Sequence, residues 1–538
     1  MGANSEESRK ARYQFGYRRR PEQDRAVPAR HPVVIVGAGP VGLTAAIDLA
    51  QRGVPVVVLD DADRIGEGSR AICFSKHTLE IMDRLGLGER LVEKGVTWQL
   101  GKVFLGNDLV YSFDLQPEPG HKMPAFINLQ QYYLESYLVE RAAELDAVDL
   151  RWANRVAGVE RRNDGVRVTI ATPDGDYQLD AEWLVACDGA RSTVRELLGL
   201  GFTGLTFEER FLIADVKMAA DYPTERWFWF DPPFHSGQSA LLHRQPDDVW
   251  RIDLQLGADA DPEEETKPAR VLPRLQRMLG ERKFELEWVS IYRFDCRRLE
   301  RFVHGRVIFA GDSAHQVSPF GARGANSGVE DAENLAWKLA LILSGAAPAS
   351  LLDSYEIERG QAADENIAHS TRSTDFIAPR SSHARVLRDA ALKLAPFAPF
   401  ARRMVNSGRL STPSAYDTPL STPDRETFAG DARLGLAVPD APMIGSDGRP
   451  CFLLERLSDG FEVLYVKDGA APAPPAGVKL TVIGEDLEDA SGLFAHRYDA
   501  SPGAAYVLRP DRHLCARMRM FDRTEVARAV ARAMGNRS

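Results

Sequence analysis

Residues 33–60 read VVIVGAGPVGLTAAIDLAQRGVPVVVLD, and this stretch decides the fold. Residues 33–36 and 54–59 are continuously apolar, which is typical of strands that are buried on both faces of a sheet. The segment between them, residues 41–52, has the spacing of an amphipathic helix. A strand, a helix and a second strand within about thirty residues predict a parallel βαβ unit, and therefore an α/β domain.

Three glycines and one aspartate lie at the ends of these predicted strands. Gly37 permits a tight turn, Gly39 lets a pyrophosphate approach the backbone, and Gly42 lets the helix pack closely on the strand. The N-terminus of the helix offers N–H groups to phosphates, and Asp60 can accept a hydrogen bond from a ribose hydroxyl. The pattern predicts an adenine-dinucleotide site, with a purely structural turn as the alternative.

The composition narrows the class of protein. A chain of 538 residues is long enough for roughly three or four domains, and 44% hydrophobic with 27% charged residues is typical of a globular protein. The formal charge of −10 argues against a nucleic-acid partner. No stretch suits a membrane span, and the arginine-rich N-terminus lacks the apolar segment of a secretion signal. Five widely spaced cysteines show no metal-ligand pattern and indicate a cytoplasmic location.

Two further strand ends carry an aspartate. Asp188-Gly189 follows a predicted strand at residues 183–187, and this turn pair alone favours an ordinary turn. Asp312 follows a predicted strand at residues 307–310. A carboxylate at the carboxyl end of a buried strand can hold a polyol chain, so this second aspartate is the stronger candidate for a ligand contact.

A glycine-rich loop follows Asp312 and leads into a helix predicted over residues 330–344. The loop contains Pro319, Gly324 and Asn326. A helix N-terminus at this position would place its positive dipole against a ring that becomes anionic. Reduced flavin carries such a charge, which favours a flavin over a nicotinamide at this site. A loop with a capped helix is the alternative.

The remaining chain divides by composition and strand pattern. Residues 101–125 and 201–299 contain short alternating segments, which predict an antiparallel sheet with one face available to a ligand. A basic tail at residues 1–30 is expected to be flexible, or to lie across the body through its aromatic residues. The other predicted units are an α/β body at residues 31–100, 126–200 and 300–345, a helical region at 346–409, a linker at 410–433 and a C-terminal α/β domain at 434–538.

Taken in order, the three motifs resemble those of the single-component flavoprotein aromatic hydroxylases, the group A or p-hydroxybenzoate hydroxylase superfamily. The similarity continues through residues 331–339 and the pattern Tyr355-x-x-Glu358-Arg359. Residues 502–503 and 509–511 are similar to the C-terminal domain of the phenol and hydroxyphenylpropionate hydroxylase branch. One departure is the run Gly-Ala-Arg-Gly at residues 321–324, where many members have Gly-Gly-Gln-Gly.

The resemblance implies a Rossmann-like FAD-binding domain, an antiparallel substrate domain and a thioredoxin-like C-terminal domain without a redox dithiol. It implies that Asp188 shapes both the FAD site and the approach of NAD(P)H. The other implied FAD contacts are Gly37, Gly39, Gly42 and Asp60 at the ADP half, Asp312 at the ribitol, Arg70 and Gln131 beside the flavin, and Pro319, Gly324 and Asn326 under its ring.

The resemblance also implies the reaction. NAD(P)H reduces the flavin of these enzymes, O2 adds to form a C4a-hydroperoxide, and a phenolic ring is hydroxylated ortho or para to an existing hydroxyl. The expected substrate is a small aromatic, a phenolic acid or a substituted phenol of aromatic-compound catabolism. A reductase, dehydrogenase or halogenase on the same fold and a non-catalytic flavin-bearing protein are the alternatives. The oligomeric state is open, and a homodimer is one candidate.

Two residues of the predicted antiparallel sheet are candidates for the substrate site. Strand alternation places Leu241 with His243, and Arg251 with Asp253 and Gln255, on shared faces. We predict that His243 and Arg251 contact a polar or anionic substrate. A solvated face or a structural role is the alternative for each of them.

Overall fold

The computed structural model describes residues 13–66, 71–116, 118–379, 381–405 and 410–536. An eight-stranded body sheet lies at its centre, and helix Pro40–Gln51 connects two of its parallel strands. The α/β class and the βαβ unit are therefore confirmed. Two further strands, Gly165–Ala171 and Arg155–Arg162, join as an antiparallel extension. The main order of the sheet is Val303–His304, Val307–Phe309, Tyr177–Ala186, Ala29–Val36, Val56–Leu59 and Val148–Arg151.

One strand of the body sheet is longer than the sequence predicts. A strand is expected at residues 183–187, but the structure has a longer strand, Tyr177–Ala186, that begins six residues earlier. This strand pairs in parallel with Ala29–Val36 from Leu179 to Ala186. The continuous ladder explains why the charged residues in its middle do not interrupt it.

The middle sheet has eight strands, and all its pairs are antiparallel except one. Its longest strand, Phe202–Lys217, lies at the start of the predicted region of residues 201–299. Gly204 lies in that strand with a positive φ of 147°, and a side chain there would collide with the carbonyl of Cys296. The order is His315–Gln316, Glu285–Leu299, Phe202–Lys217, Val249–Leu256, Ser239–Arg244, Arg226–Phe230, Leu100–Leu105 and Asp108–Asp114.

The two faces of the middle sheet differ in character. On the outer face, alternate residues of the strands form an apolar layer with the amphipathic helix Pro268–Leu279. The inner face is polar and lies toward a small three-stranded sheet formed by Cys73–Ser75, Phe126–Asn128 and Val96–Trp98. The sequence predicts that one face of this sheet is available to a ligand. The polar inner face, which lies toward the three-stranded sheet, is the candidate for that face.

Helices surround the sheets. The helix after the glycine-rich loop, Gly324–Leu343, begins six residues earlier than predicted. Gly328 lies inside it because a side chain there would meet Val41 of the first helix. The other helices are Lys76–Arg84, Gly88–Lys94, Gln131–Ala143, Thr193–Leu197, Pro262–Glu265, Leu352–Ile377, Ser382–Leu394, Pro399–Val405, Leu453–Arg456, Leu493–Tyr498 and Arg523–Ala533, with single 3-10 turns at Pro21–Asp24, Pro233–His235, Gly311–Ser313 and Ala349–Leu351.

The described part of the N-terminal segment lies against the body. Phe15 stacks on Trp152 with ring centroids 4.7 Å apart, and Tyr13 contacts Tyr132. The Tyr17 hydroxyl lies 3.2 Å from that of Thr172. For residues 13–30 the structure thus follows the second alternative, in which the aromatic residues hold the segment to the body, rather than a flexible tail.

The C-terminal domain has its own mixed sheet. Its central strands Lys479–Ile483 and Glu462–Val466 are parallel, and the next two strands are antiparallel. The full order is Pro450–Phe452, Pro442–Gly445, Leu487–Glu488, Lys479–Ile483, Glu462–Val466, Ala505–Leu508 and Leu514–Met518. The thioredoxin-like assignment of this domain stays a prediction.

A buried ionic network joins the C-terminal domain to the body. Glu358 accepts hydrogen bonds from Arg509 at 2.6 Å and from Lys338 at 2.7 Å, and all three side chains are fully buried. Burial alone would raise the pKa of Glu358, but the two cations outweigh it and hold this pKa at about 2. Trp337 donates to Asp511 at 2.9 Å in the same network. Buried charged residues of the body and of the C-terminal domain therefore form one network.

We expect Glu358→Gln to destabilise the protein by about 3–5 kcal/mol, because it removes the carboxylate that buried Lys338 and Arg509 share. Arg509 keeps its ion pair with Asp511, so the loss falls mainly on Lys338. Chemical unfolding measures the loss. Asp364→Asn is the matched control on the same helix: its ion pair with Arg298 is largely exposed and is worth about 0–1 kcal/mol. A loss in the Glu358 variant no larger than in the control would contradict the expectation.

Candidate functional site

The turn after the first strand is shaped by its glycines. Gly37 has a positive φ of 103° and donates its N–H to the carbonyl of Leu59 at 2.7 Å. Side chains at Gly37 and Gly42 would collide with the carbonyls of Cys187 and Gly37 respectively. A Cβ at Gly39 would meet no protein atom within 4 Å, although Gly39 is the N-cap of the helix. The turn thus leaves open space beside the helix N-terminus.

Asp60 closes the other side of this turn. Its carboxylate accepts hydrogen bonds from the backbone N–H of Ala38 at 2.6 Å and of Ala62 at 2.9 Å. Burial raises the pKa of Asp60, and the two backbone hydrogen bonds act in the opposite direction. These bonds fix the carboxylate at the strand end, where the sequence predicts contact with a ribose.

Asp188 lies at the end of the neighbouring strand. One carboxylate oxygen accepts from the backbone N–H of Val194 at 3.0 Å. The other oxygen, Oδ1, is buried and has no hydrogen-bond partner within the described residues. Burial raises the pKa of this carboxyl. Arg195, in the short helix that follows, donates to the carbonyl of Ser313 at 3.1 Å and so joins the second motif to the third.

Buried charged side chains stabilise the turn that contains Asp312, which is the third of the three motifs. Asp331 accepts from the backbone N–H of Gly311 at 2.8 Å and contacts His315 at 2.6 Å. Arg359 binds the other oxygen of Asp331. The side chain of Asp312 is exposed on the opposite side of the turn. The interactions behind the turn thus leave Asp312 directed to the solvent side.

The loop after Asp312 is tied to the strand that begins at residue 73. Asn326 donates to the carbonyl of Cys73 at 3.0 Å and accepts from the N–H of Ser75 at 3.0 Å. Pro319 is exposed at the start of the loop, and Gly324 is the first residue of the helix. The side chain of Arg323 is buried and donates to Asn366 at 2.9 Å. Arg323, the residue that departs from the family pattern, therefore binds a side chain outside the loop.

Gln131 supports the segment on the other side of the cleft. Its side-chain oxygen accepts from the N–H of Ala71 at 3.0 Å, and its nitrogen donates to Glu135 at 2.7 Å. Glu135 in turn accepts from the N–H of Gly66 at 2.9 Å. Arg70 lies outside the described residues. The structure therefore shows Gln131 holding the chain on the C-terminal side of that position.

The inner face of the middle sheet carries the predicted substrate residues. His243 and Arg251 are direct partners on neighbouring strands, a pairing that the alternation within each strand does not predict. Both oxygens of Asp215 bind Arg251, each at 2.8 Å, and both side chains are buried. The Nε2 atom of His243 is buried without a partner within the described residues, and its Nδ1 lies 3.9 Å from the sulfur of Cys73. Burial lowers the pKa of His243 well below its usual value, so the ring is neutral at pH 7.

Asp253 lies on the same face but is not among the substrate contacts predicted from the sequence. It lies across from Leu241 and from Ile213, next to Arg251 along its own strand. Its Oδ1 atom is buried and has no hydrogen-bond partner in the part of the chain that the structure describes. Burial raises its pKa to about 6, although Arg251 and Arg226 act to lower it. The sequence signal that could have identified Asp253 is the strand alternation, which places Arg251 and Asp253 on the same face.

Aromatic residues connect this polar face to the glycine-rich loop. Phe211 and Phe294 of the middle sheet contact Phe320, which directly follows Pro319, at centroid distances of 4.9 and 5.4 Å. His243 approaches Cys73 from the same side. The polar face therefore lies between the strand at residue 73 and the loop at residue 319, at the point where the sequence places a flavin ring.

Comparison with known proteins decides the family. Residues 30–370 match the FAD binding domain family. A 3-(3-hydroxy-phenyl)propionate/3-hydroxycinnamic acid hydroxylase of Mycobacterium sp. (strain JLS) is 30% identical over 72% of this chain and 67% of its own. The 6-methylpretetramide 4-monooxygenase of Streptomyces rimosus is 32% identical over 90% of both chains. The chain belongs to the group A flavoprotein aromatic hydroxylases.

The fold of the hydroxylase is shared with solved structures. The flavin-dependent monooxygenase PieE, crystallised with FAD and substrate, superposes with a TM-score of 0.80 at 23% identity, over 95% of this chain and all of that chain. The family assignment makes the hydroxylase an FAD-dependent aromatic monooxygenase. No helix within the described ranges combines the length and the apolar character needed to cross a bilayer.

The residues of the hydroxylase fit FAD. The open space at Gly39 lies where backbone N–H groups of a helix N-terminus can bind phosphate. The buried Oδ1 of Asp188, without a partner in the described ranges, and the exposed carboxylate of Asp312 are acceptors for the hydroxyl groups of a ribityl chain. A long cofactor can therefore be held from both ends of the cleft.

Proposed function

We propose that the hydroxylase adds a hydroxyl group to a phenolic ring, ortho or para to an existing hydroxyl, with NAD(P)H and O2 as co-substrates. The observation that carries this proposal is the polar face of the middle sheet, which holds the buried Oδ1 of Asp253 without a partner in the described residues, next to Arg251. A neutral phenol needs such an acceptor, because an ortho or para hydroxylation requires the electron density of a phenolate.

The proposed FAD contacts are those that the family resemblance implies, and the geometry above supports them except at Arg70, which lies outside the described residues. In the proposal, Gly37, Gly39 and Gly42 admit the pyrophosphate and Asp60 binds the ribose. The remaining contacts surround the ribityl chain and the flavin ring: Asp188, Asp312, Arg70, Gln131, Pro319, Gly324 and Asn326. Bound FAD supplies the activation of oxygen, and the protein supplies binding, orientation and the removal of water.

Asp253 has the properties of a proton acceptor. A carboxylate with a pKa of about 6 is ionised at pH 7 and can accept the phenolic proton at its Oδ1. Arg251 is held in place by Asp215, so its positive charge stays fixed near the phenolate that forms. The neutral His243 ring offers its Nε2 for a further hydrogen bond to the substrate. His243 and Arg251 thus act as positioning groups around the acceptor.

The size of the phenol separates two candidate substrate classes. The relative named for hydroxyphenylpropionate matches 72% of this chain, which supports a phenolic acid. The relative named for 6-methylpretetramide matches 90% of it, including the C-terminal domain, which supports a polycyclic phenol. A phenolic acid is the primary candidate, because Arg226 and Arg251 provide positive charge near Asp253 on the same face.

A substrate panel tests the proposal. We expect single-ring phenolic acids to stimulate NAD(P)H oxidation by the FAD-loaded protein, and the product to carry one oxygen atom from 18O2. Polycyclic phenols form the second arm, and benzoic acids without a hydroxyl form the matched control. Oxidation that no phenol stimulates, or hydrogen peroxide as the only product, would indicate a reductase or a flavin-bearing protein instead.

A further inference from the structure

A helical hairpin covers one end of the middle sheet. Helices Ser382–Leu394 and Pro399–Val405, here called the cap hairpin (residues 381–405), follow each other in the chain and contact each other. Leu392, Ala395 and Ala401 on its inner side belong to the same buried apolar cluster as Phe211 and Phe320. The inner side of the cap hairpin therefore belongs to the apolar cluster that also contains the aromatic residues beside the polar face of the middle sheet.

The outer side of the cap hairpin is strongly apolar. Six of the 14 large apolar side chains that are exposed in the described part of the chain lie here: Val386, Leu387, Leu394, Phe397, Phe400 and Met404. Phe397 is 86% exposed and Leu387 is 60% exposed. Scattered single residues of this kind need no explanation, but a contiguous group of this size marks an interaction surface.

The same segment carries a charge opposite to that of the whole protein. It contains five basic residues and one acidic residue, Asp389, whereas the formal charge of the chain is −10. The basic residues are Arg385, Arg388, Lys393, Arg402 and Arg403. Exposed Phe and Leu side chains interleaved with Lys and Arg are the composition of helices that lie on anionic membrane surfaces.

We propose that the cap hairpin binds the surface of an anionic membrane, with its apolar side chains in the interface and its basic residues against lipid phosphates. A second copy of this chain fits the surface less well, since a two-fold contact would place identical clusters of positive charge opposite each other. The inner side of the hairpin faces the aromatic cluster beside the proposed substrate site. A polycyclic phenol dissolved in the membrane, the second candidate substrate class above, would thus meet the protein close to that site.

Co-sedimentation with vesicles tests the proposal on the full-length, FAD-loaded protein. We expect binding to phosphatidylcholine vesicles that contain phosphatidylglycerol, at least about tenfold stronger than to phosphatidylcholine alone, and weaker at high salt. The double variant Leu387→Ser and Phe397→Ser removes apolar contacts, and the double variant Lys393→Glu and Arg403→Glu reverses two charges. Each should lower binding at least about tenfold.

The matched control changes apolar residues elsewhere. Leu109 and Met520 are exposed to 50% and 63%, and replacing both with Ser should leave vesicle binding unchanged. Phenol-stimulated NAD(P)H oxidation in buffer should be the same in all variants, so a failure of the proposed function is seen separately. Absence of vesicle binding, or equal binding by the cap variants, would overturn the proposal. A dimer in solution that the Leu387 and Phe397 variant dissociates would assign the surface to a second copy and overturn it too.

Discussion

Asp253→Asn is expected to lower kcat for a phenolic substrate by about 10²–10⁴-fold, the range that a positioned general base contributes. The amide has nearly the same shape but cannot take up a proton, so the loss should fall on the chemical step more than on KM. Steady-state kinetics with the best substrate of the panel measure both. The FAD content of the variant should equal that of the wild type, because Asp253 lies on the middle sheet and is not one of the proposed FAD contacts.

The pH dependence gives a sharper test of the same residue. The carboxyl must be ionised to accept the proton, and burial raises its pKa to about 6. Wild-type activity should therefore be full above this value and fall as the pH drops below it. The Asn variant should lose this acid limb.

Asp248→Asn is the matched control for Asp253→Asn, since Asp248 directly precedes the same strand and its side chain is 61% exposed. It should leave both kcat and the pH profile unchanged. An acid limb near pH 6 that persists in the Asp253 variant would exclude Asp253 as the proton acceptor.

Gly39→Ala should lower the affinity for FAD by at least about 100-fold, or about 2.7 kcal/mol, without unfolding the protein. A Cβ at this position meets no protein atom within 4 Å, and the backbone has a φ of −79° that alanine adopts readily. The methyl group would instead occupy the space beside the helix N-terminus, where the pyrophosphate must approach the backbone. Titration of the apoprotein with FAD, followed by flavin fluorescence, measures the change.

Two further measurements separate binding from folding in this variant. The loss of a glycine N-cap costs up to about 1 kcal/mol, so the Tm of the apoprotein should change little. Gly201→Ala is the matched control, because its Cβ also meets no protein atom within 4 Å but lies outside the turn. If Gly39→Ala bound FAD as tightly as this control, the cofactor could not lie against the turn as proposed.

The sequence predicts the body of the fold well because its signals are local. The strand around Val33, the glycine turn and helix Pro40–Gln51 lie within one short stretch, and apolar continuity, glycine spacing and helix period all agree there. Within the predicted region of residues 201–299, the bounds of strand Phe202–Lys217 are not predicted, because its first half is held by long-range pairing with Glu285–Leu299, which a local pattern does not contain.

The candidate site is predicted only in part, since several of its contacts join distant residues. Alternation places residues of one strand on a shared face, but it cannot show that His243 and Arg251 are direct partners on neighbouring strands. Nor can it show that Asp215 neutralises Arg251 from a third strand. It also cannot separate Asp253 from its neighbours, because a buried oxygen without a partner is a property of the assembled sheet. The tie between Asn326 and Cys73 spans 253 residues and has no sequence signature.

The bond between Glu358 and Arg509 spans 151 residues of chain. At about 5–20 residues per second, the ribosome needs roughly 8–30 s to make that interval. During that time the nascent body holds a carboxylate whose arginine partner does not yet exist. Until nearly the whole polypeptide has been translated, Glu358 has Lys338 but not Arg509 to bind, and a chain released early would keep this interior charge without its arginine.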